Sequence, residues 1–159
     1  LQAIKVSISE QTLILYDNHK VIARYSISSG KAGAGNQKSS GKTPLGKHRI
    51  RAKIGTGLPI NSVLVGRRAT GEIYSQELAD ENPNRDWVLS RILWLSGTEK
   101  GFNRLGQVDS MQRYIYIHGT PDSEPMGVAA SHGCIRMRNS DLLELFDRVE
   151  AYTEVEIIA

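Results

Sequence analysis

Tyr114-Ile115-Tyr116-Ile117-His118-Gly119 and, beyond a polar loop, Ser131-His132-Gly133-Cys134-Ile135-Arg136-Met137 hold the only cysteine of the chain and two of its four histidines. Tyr114 to Ile117 is aromatic and β-branched, so it reads as a strand that delivers His118 to its end, where Gly119 opens the loop. A second short extended run carries Cys134. Strand side chains alternate faces, so His132, Cys134 and Arg136 point one way while Ile135 and Met137 enter the core. A thiol between two imidazoles is the arrangement of an activated nucleophile.

Outward from this stretch, period-two patterning dominates. Ile4, Val6 and Ile8 alternate with polar residues, Leu13 to Tyr16 follows after a turn, and Val21 to Ser28 resumes beyond Asp17-Asn18-His19-Lys20 with Ile22 and Tyr25 free to pack. These three strands make an antiparallel meander, with His19 solvated in its turn. Ser29 to Lys47 is a glycine-rich loop with a mobile crown, followed by a strand from His48 to Lys53. Between Ile54 and Arg113 only Val63 to Val65, Ile73-Tyr74 and Trp87 to Leu95 suggest strands, so this segment reads as loop-rich walls of a site. Trp87, Trp94 and Tyr74 read as core. Beyond the cysteine, one helix runs from Asp141 to about Glu150, capped by Asn139 or Ser140 and burying Leu142, Leu143, Leu145, Phe146 and Val149. Glu154 to Ile158 closes the chain as a strand.

The chain of 159 residues reads as one domain, residues 1–159, large enough for a core of its own. A net charge of +3 is mild, and no Lys/Arg stripe interleaved with aromatics argues for nucleic acid. No run approaches membrane-spanning length. A lone cysteine leaves no internal disulfide to indicate the redox compartment. The start at Leu1-Gln2-Ala3 fits a mature or trimmed chain whose export signal is missing. Gly35 to Thr43 imitates a phosphate-binding loop, but five residues separate its glycines where four are needed, and Pro44 and Gly46 follow where a helix should begin.

His118-Gly119 followed by the block Ser131 to Arg136 resembles the signature of the L,D-transpeptidase (YkuD-type) catalytic domain of bacterial cell-wall enzymes. Thr43-Pro44-Leu45-Gly46 resembles a further Thr-Pro-x-Gly element of that family, so the resemblance spans most of the chain. It implies a mainly β fold, an L,D-transpeptidase-like β-sandwich with one or more short helices. It also implies ping-pong acyl transfer in cell-wall biogenesis and cell shape. Cys134 would attack a peptidoglycan tetrapeptide stem, release D-alanine and pass the acyl group from a thioester to an amine of a second stem. Hydrolysis of the same stem by an L,D-carboxypeptidase or amidase, and a peptidoglycan-binding module without turnover, are the alternatives. The implied location is the bacterial envelope, periplasmic or wall-facing. Carbapenem β-lactams are the implied covalent inhibitors. No cofactor is implied, and the oligomeric state is open.

Within that reading His118 is the base. It arrives from another strand, whereas His132, two residues along the same strand, stands about 7 Å from the cysteine at the backbone and serves to orient substrate or adjust charge. The carbonyl of Gly119 would take the other ring proton of His118, and the imidazole would hold a thiolate as an ion pair and lower its pKa. Backbone N–H groups of His132, Gly133 and Cys134 would form an oxyanion hole. Arg136 is a fixed cation suited to a substrate carboxylate. Ser131 and Thr43 would contact substrate or shape their turns. Two rival readings remain: an inert packed cysteine, and zinc on His118, His132 and Cys134, whose spacing fits no standard site.

Overall fold

In a computed structural model that describes residues 1–159, ten strands form one sheet and two α-helices pack on it. β1 (Gln2–Ser7), β2 (Thr12–Asp17) and β3 (Lys20–Ser28) are the expected antiparallel meander. β4 (Gly46–Ile54), β5 (Ser62–Val65), β6 (Arg68–Ile73), α1 (Gln76–Glu81) and β7 (Val88–Gly97) follow. Then come β8 (Tyr116–Thr120), β9 (Ile135–Arg138), α2 (Asn139–Arg148) and β10 (Glu154–Ile158). The strand order is β4-β10-β1-β2-β3-β9-β8-β7-β5-β6. Because β4 also pairs with β7, the sheet closes on itself and leaves the β5–β6 hairpin outside the ring. Closure leaves those ring strands no free edge.

The inner face of this ring is the main core. Ile4, Val6, Leu13, Leu15, Ile27, Ile50, Leu93, Leu95, Ile117, Ile135 and Met137 meet Leu142, Leu145 and Phe146 of α2 there. β8 and β9 run parallel, with Ile117 opposite Ile135 and His118 opposite Arg136. Alternation then places Ile117, Ile135 and Met137 inward, and Tyr116, His118 and Arg136 on the outer face, with Cys134 just before the start of β9. The core therefore fixes the site from behind.

Several local expectations change. The strand read from Tyr114 begins at Tyr116, because Tyr114 has φ of +56° and ends a turn held by its N–H on the Met111 carbonyl. Trp87 to Leu95 alternates imperfectly because Ser90, at φ +71°, introduces a bulge where the register shifts between Leu89 and Ile92. α2 starts at Asn139 with Arg138 at its N-cap and no side-chain cap, since Asn139 is buried and turned to Ser90 and Asn61 instead. Ile22 is exposed while Tyr25 is buried. α1 was not foreseen. It is six residues long, and its signal is the Ser75 hydroxyl accepting the Leu78 N–H. The Ser29–Lys47 loop is tied by its own backbone bonds, Gly35 N–H to the Thr43 carbonyl and Thr43 N–H to the Gly33 carbonyl.

Candidate active site

His118 lies on the outer face of β8, buried among side chains, and its Nδ1 is 2.7 Å from the Gly119 carbonyl. A carbonyl only accepts, so Nδ1 carries the ring proton and Nε2 keeps its lone pair. Burial holds the ring below the usual histidine range; the Gly119 carbonyl and Asp86 oppose this and Arg136 adds to it. His118 is therefore a neutral base with a fixed tautomer. Glycine is required at 119: a Cβ there would stand 2.1 Å from Asn139 Oδ1 and 2.6 Å from the Leu89 carbonyl oxygen.

Cys134 lies two residues before Arg136, the register partner of His118, so thiol and imidazole are diagonal neighbours on one face of the parallel pair. The resting thiol does not form the expected ion pair. Sγ donates to the Tyr114 carbonyl at 3.4 Å and accepts from the Tyr116 N–H at 3.4 Å. Packing pushes its pKa up, to about 11, with Asp86 adding to the rise; the Tyr116 amide, Arg136 and Arg113 oppose it. At neutral pH the resting thiol is therefore overwhelmingly protonated. The expected depressed thiol pKa is thus corrected: the resting thiol and the imidazole are both held neutral by burial.

The approach to the thiol is built by short side-chain bonds. Ser131 Oγ donates to the Cys134 carbonyl and accepts the Gly133 N–H at 3.2 Å. Thr43 Oγ1 accepts the Gly30 N–H at 2.8 Å and donates to the Gly133 carbonyl at 2.9 Å. Both residues are buried. The expected substrate contacts of Ser131 and Thr43 are therefore corrected, because their hydroxyls are spent on the turn that holds Gly133. Gly133 adopts φ of +125°, a conformation that a side chain would strain. Its amide is occupied, so it leaves the expected oxyanion set. The amides of His132 and Cys134 donate to no acceptor in the chain and remain free for an oxyanion.

Asp86, unnoticed in the sequence, joins the two remaining residues. Its Oδ1 accepts from Arg136 at 2.9 Å and its Oδ2 lies 3.2 Å from His132 Nδ1. Arg136 also meets Glu124 at 3.6 Å and the Ala130 carbonyl at 3.3 Å, and its side chain is only 8% exposed. The guanidinium expected to await a substrate carboxylate is therefore already neutralised. His132 is largely exposed and turned to Asp86, so His118, His132 and Cys134 do not converge on one point. Beside them lies a cavity of about 230 Å³ whose lining includes Asp86, Thr120, Glu124, His132 and Arg136.

On the other side of the thiol stand Trp94, Tyr114 and Tyr116, with Arg67 stacked over Trp94 and Tyr114 at 4.7 and 4.8 Å and donating to Tyr116 Oη at 3.0 Å. Trp87 and Tyr74 pack edge to face in a small separate cluster, as core.

The model of the L,D-transpeptidase catalytic domain family, YkuD, matches residues 1–157. YkuD of Bacillus licheniformis is 28% identical over 154 residues, which cover 97% of this chain and 64% of that protein. Among solved structures, L,D-transpeptidase 3 from Mycobacterium tuberculosis, in complex with a faropenem-derived adduct, is similar over 99% of this chain and 60% of its own. The TM-score is 0.61 at 16% identity. The L,D-transpeptidase LdtMt1 in complex with imipenem is similar over 99% of this chain and 58% of its own, with a TM-score of 0.58 at 20% identity. The chain thus spans less than two thirds of the length of each of these relatives, and the likeness to the two structures concerns the fold.

Proposed function

Since the chain belongs to the L,D-transpeptidase (YkuD) catalytic domain family, we propose that it carries out cysteine-dependent acyl transfer on peptidoglycan stems in the bacterial envelope. The donor carbonyl, that of the third residue of a tetrapeptide stem, is attacked by Cys134 Sγ as His118 Nε2 takes the thiol proton. The negative oxygen that develops is held by the amides of His132 and Cys134. Collapse breaks the peptide bond, His118 returns the proton to the leaving amine, and D-alanine departs from a thioester. An amine of a second stem then attacks the thioester, His118 takes its proton, and Sγ leaves as the thiol re-forms.

The observation that supports this most is the Nδ1 bond of His118 to the Gly119 carbonyl, which leaves a basic nitrogen on the face that carries the only cysteine.

Incubation with a disaccharide tetrapeptide, followed by intact-mass and product analysis, tests the reading. An acyl-enzyme on Cys134, released D-alanine and a crosslinked product are expected. Release without crosslinking would mean an L,D-carboxypeptidase, and neither adduct nor release would leave a wall-binding module. Carbapenems are expected to acylate Cys134 as well.

A further inference from the structure

The charges around the thiol are unevenly neutralised. Arg136, on one side, has two carboxylates. Arg67 and Arg113, on the other side, form no ion pair at all. Both are nevertheless held in place. Arg113 immediately precedes Tyr114, whose carbonyl accepts the thiol proton, and its guanidinium donates to the Lys42 carbonyl at 2.6 Å and the Gly35 carbonyl at 3.2 Å. That same Lys42 oxygen is the atom a Cβ on Gly133 would meet, at 3.2 Å, so Arg113 borders the turn carrying Cys134. Arg67 reaches the site from the tip of the β5–β6 hairpin. Gly66 and Arg67 have φ of +55° and +65°, the pattern of a two-residue type I′ turn. An arginine there accepts left-handed strain, and its head folds back onto Trp94, Tyr114 and Tyr116, two of which bracket Sγ through their backbones.

We propose that Arg67 and Arg113 form a carboxylate-binding subsite that reads the free C-terminal carboxylate of the peptide under attack. The proposal rests on Cys134 being the nucleophile. In such a peptide the terminal carboxylate lies one residue beyond the scissile carbonyl, so it must fall close to the thiol. Partly buried cations without counter-charges are costly, and a ligand carboxylate supplies the missing charge. Burial pushes the Arg113 guanidinium down while a thiolate at Cys134 would pull it up, which agrees with their proximity. The subsite makes the enzyme read a chain end and disfavour a carbonyl within a longer peptide.

Two measurements on the wild type, Arg67→Gln and Arg113→Gln test this. First, alkylation of Cys134 by iodoacetate is compared with alkylation by iodoacetamide; in each, Sγ bonds carbon, iodide leaves and the thiol proton passes to solvent. The wild type is expected to favour the anionic reagent about tenfold relative to free cysteine, and each variant to lose most of that bias. A wild-type ratio equal to that of free cysteine, or one unchanged in both variants, overturns the subsite. Second, acylation by a tetrapeptide with a free C-terminus is compared with acylation by its C-terminal amide. The amide is expected to lose about 100-fold in kcat/KM on the wild type, narrowing to less than about tenfold in Arg67→Gln. An undiminished preference in Arg67→Gln and Arg113→Gln places recognition elsewhere and overturns the proposal. Failure of both peptides on the wild type overturns the acyl-transfer reading and the peptide as ligand, while the alkylation ratio still decides whether the anion subsite exists.

Discussion

The two faces of β8 and β9 answer to different physics. Inward, Ile117, Ile135 and Met137 are fully buried in an apolar cluster, where the requirement is volume. Outward, His118 and Arg136 each depend on a partner at a fixed place: the Gly119 carbonyl and the Asp86 carboxylate. Cys134, at the foot of β9, depends likewise on the Tyr114 carbonyl and the Tyr116 amide. The difference shows that one alternating stretch encodes both a core that sets position and a surface that sets chemistry. Changes on the first face should cost stability, and changes on the second should cost rate.

The widest separation is expected at Cys134 and Met137. Cys134→Ala should abolish the acyl-enzyme seen by intact mass while shifting the urea midpoint little. Met137→Ala should destabilise by about 2–5 kcal/mol. Loss of folding in the first variant, or unchanged stability in the second, would break the division of labour between the faces. Next in size, His118→Gln should slow acylation about 10²–10⁴-fold in single-turnover kinetics, the range associated with a positioned base.

Buried histidines give the fold an acid sensitivity. His48 is sealed between Gly46 and Ser110, bonding the Gly46 carbonyl through Nδ1 and Ser110 Oγ through Nε2 at 2.8 Å, and burial lowers its pKa to about 4. Its folded pKa lies below the unfolded value of about 6.5, so only the unfolded chain takes the proton between these two values. Stability is therefore full above about pH 6.5 and falls by about 3 kcal/mol as pH drops to about 4. His118, also lowered by burial, acts in the same direction. Urea midpoints at the two pH values measure the loss. A smaller effect, about 1–3 kcal/mol, is expected for Thr43→Val, which strands the Gly30 amide and the Gly133 carbonyl. Because that bond holds the turn of Cys134, acylation should slow in the same variant.

What the sequence could reveal followed from the range of each interaction. β1, β2, β3 and β10 were legible from alternation, and α2 from its apolar stripe, since these patterns are local. Cys134, His118 and Gly119 were legible because thiol, imidazole and the permissive glycine lie within two short blocks. Asp86 and Arg67 were not, because they reach the site only through the pairing of β7 with β8 and the fold-back of the β5–β6 hairpin; Arg113 and Asn139 adjoin the two blocks in sequence, but the groups they bond are set by tertiary packing. For Ser131 and Thr43 the sequence leaves substrate contact and turn-shaping both open, because it does not show which backbone groups a hydroxyl bonds; packing decides for the turn. The state of the thiol was invisible too, since its pKa is dominated by packing, and packing is a property of the closed sheet.

On the proposed reading, the outward thiol rests neutral beside a neutral imidazole and gives up its proton only when substrate is bound. The rate of Cys134 alkylation by iodoacetamide, followed from about pH 6 to about pH 11, tests it most directly. A rise of about tenfold per pH unit is expected, with no plateau before about pH 11. A plateau near neutral pH, the mark of a preformed thiolate–imidazolium pair, would contradict it.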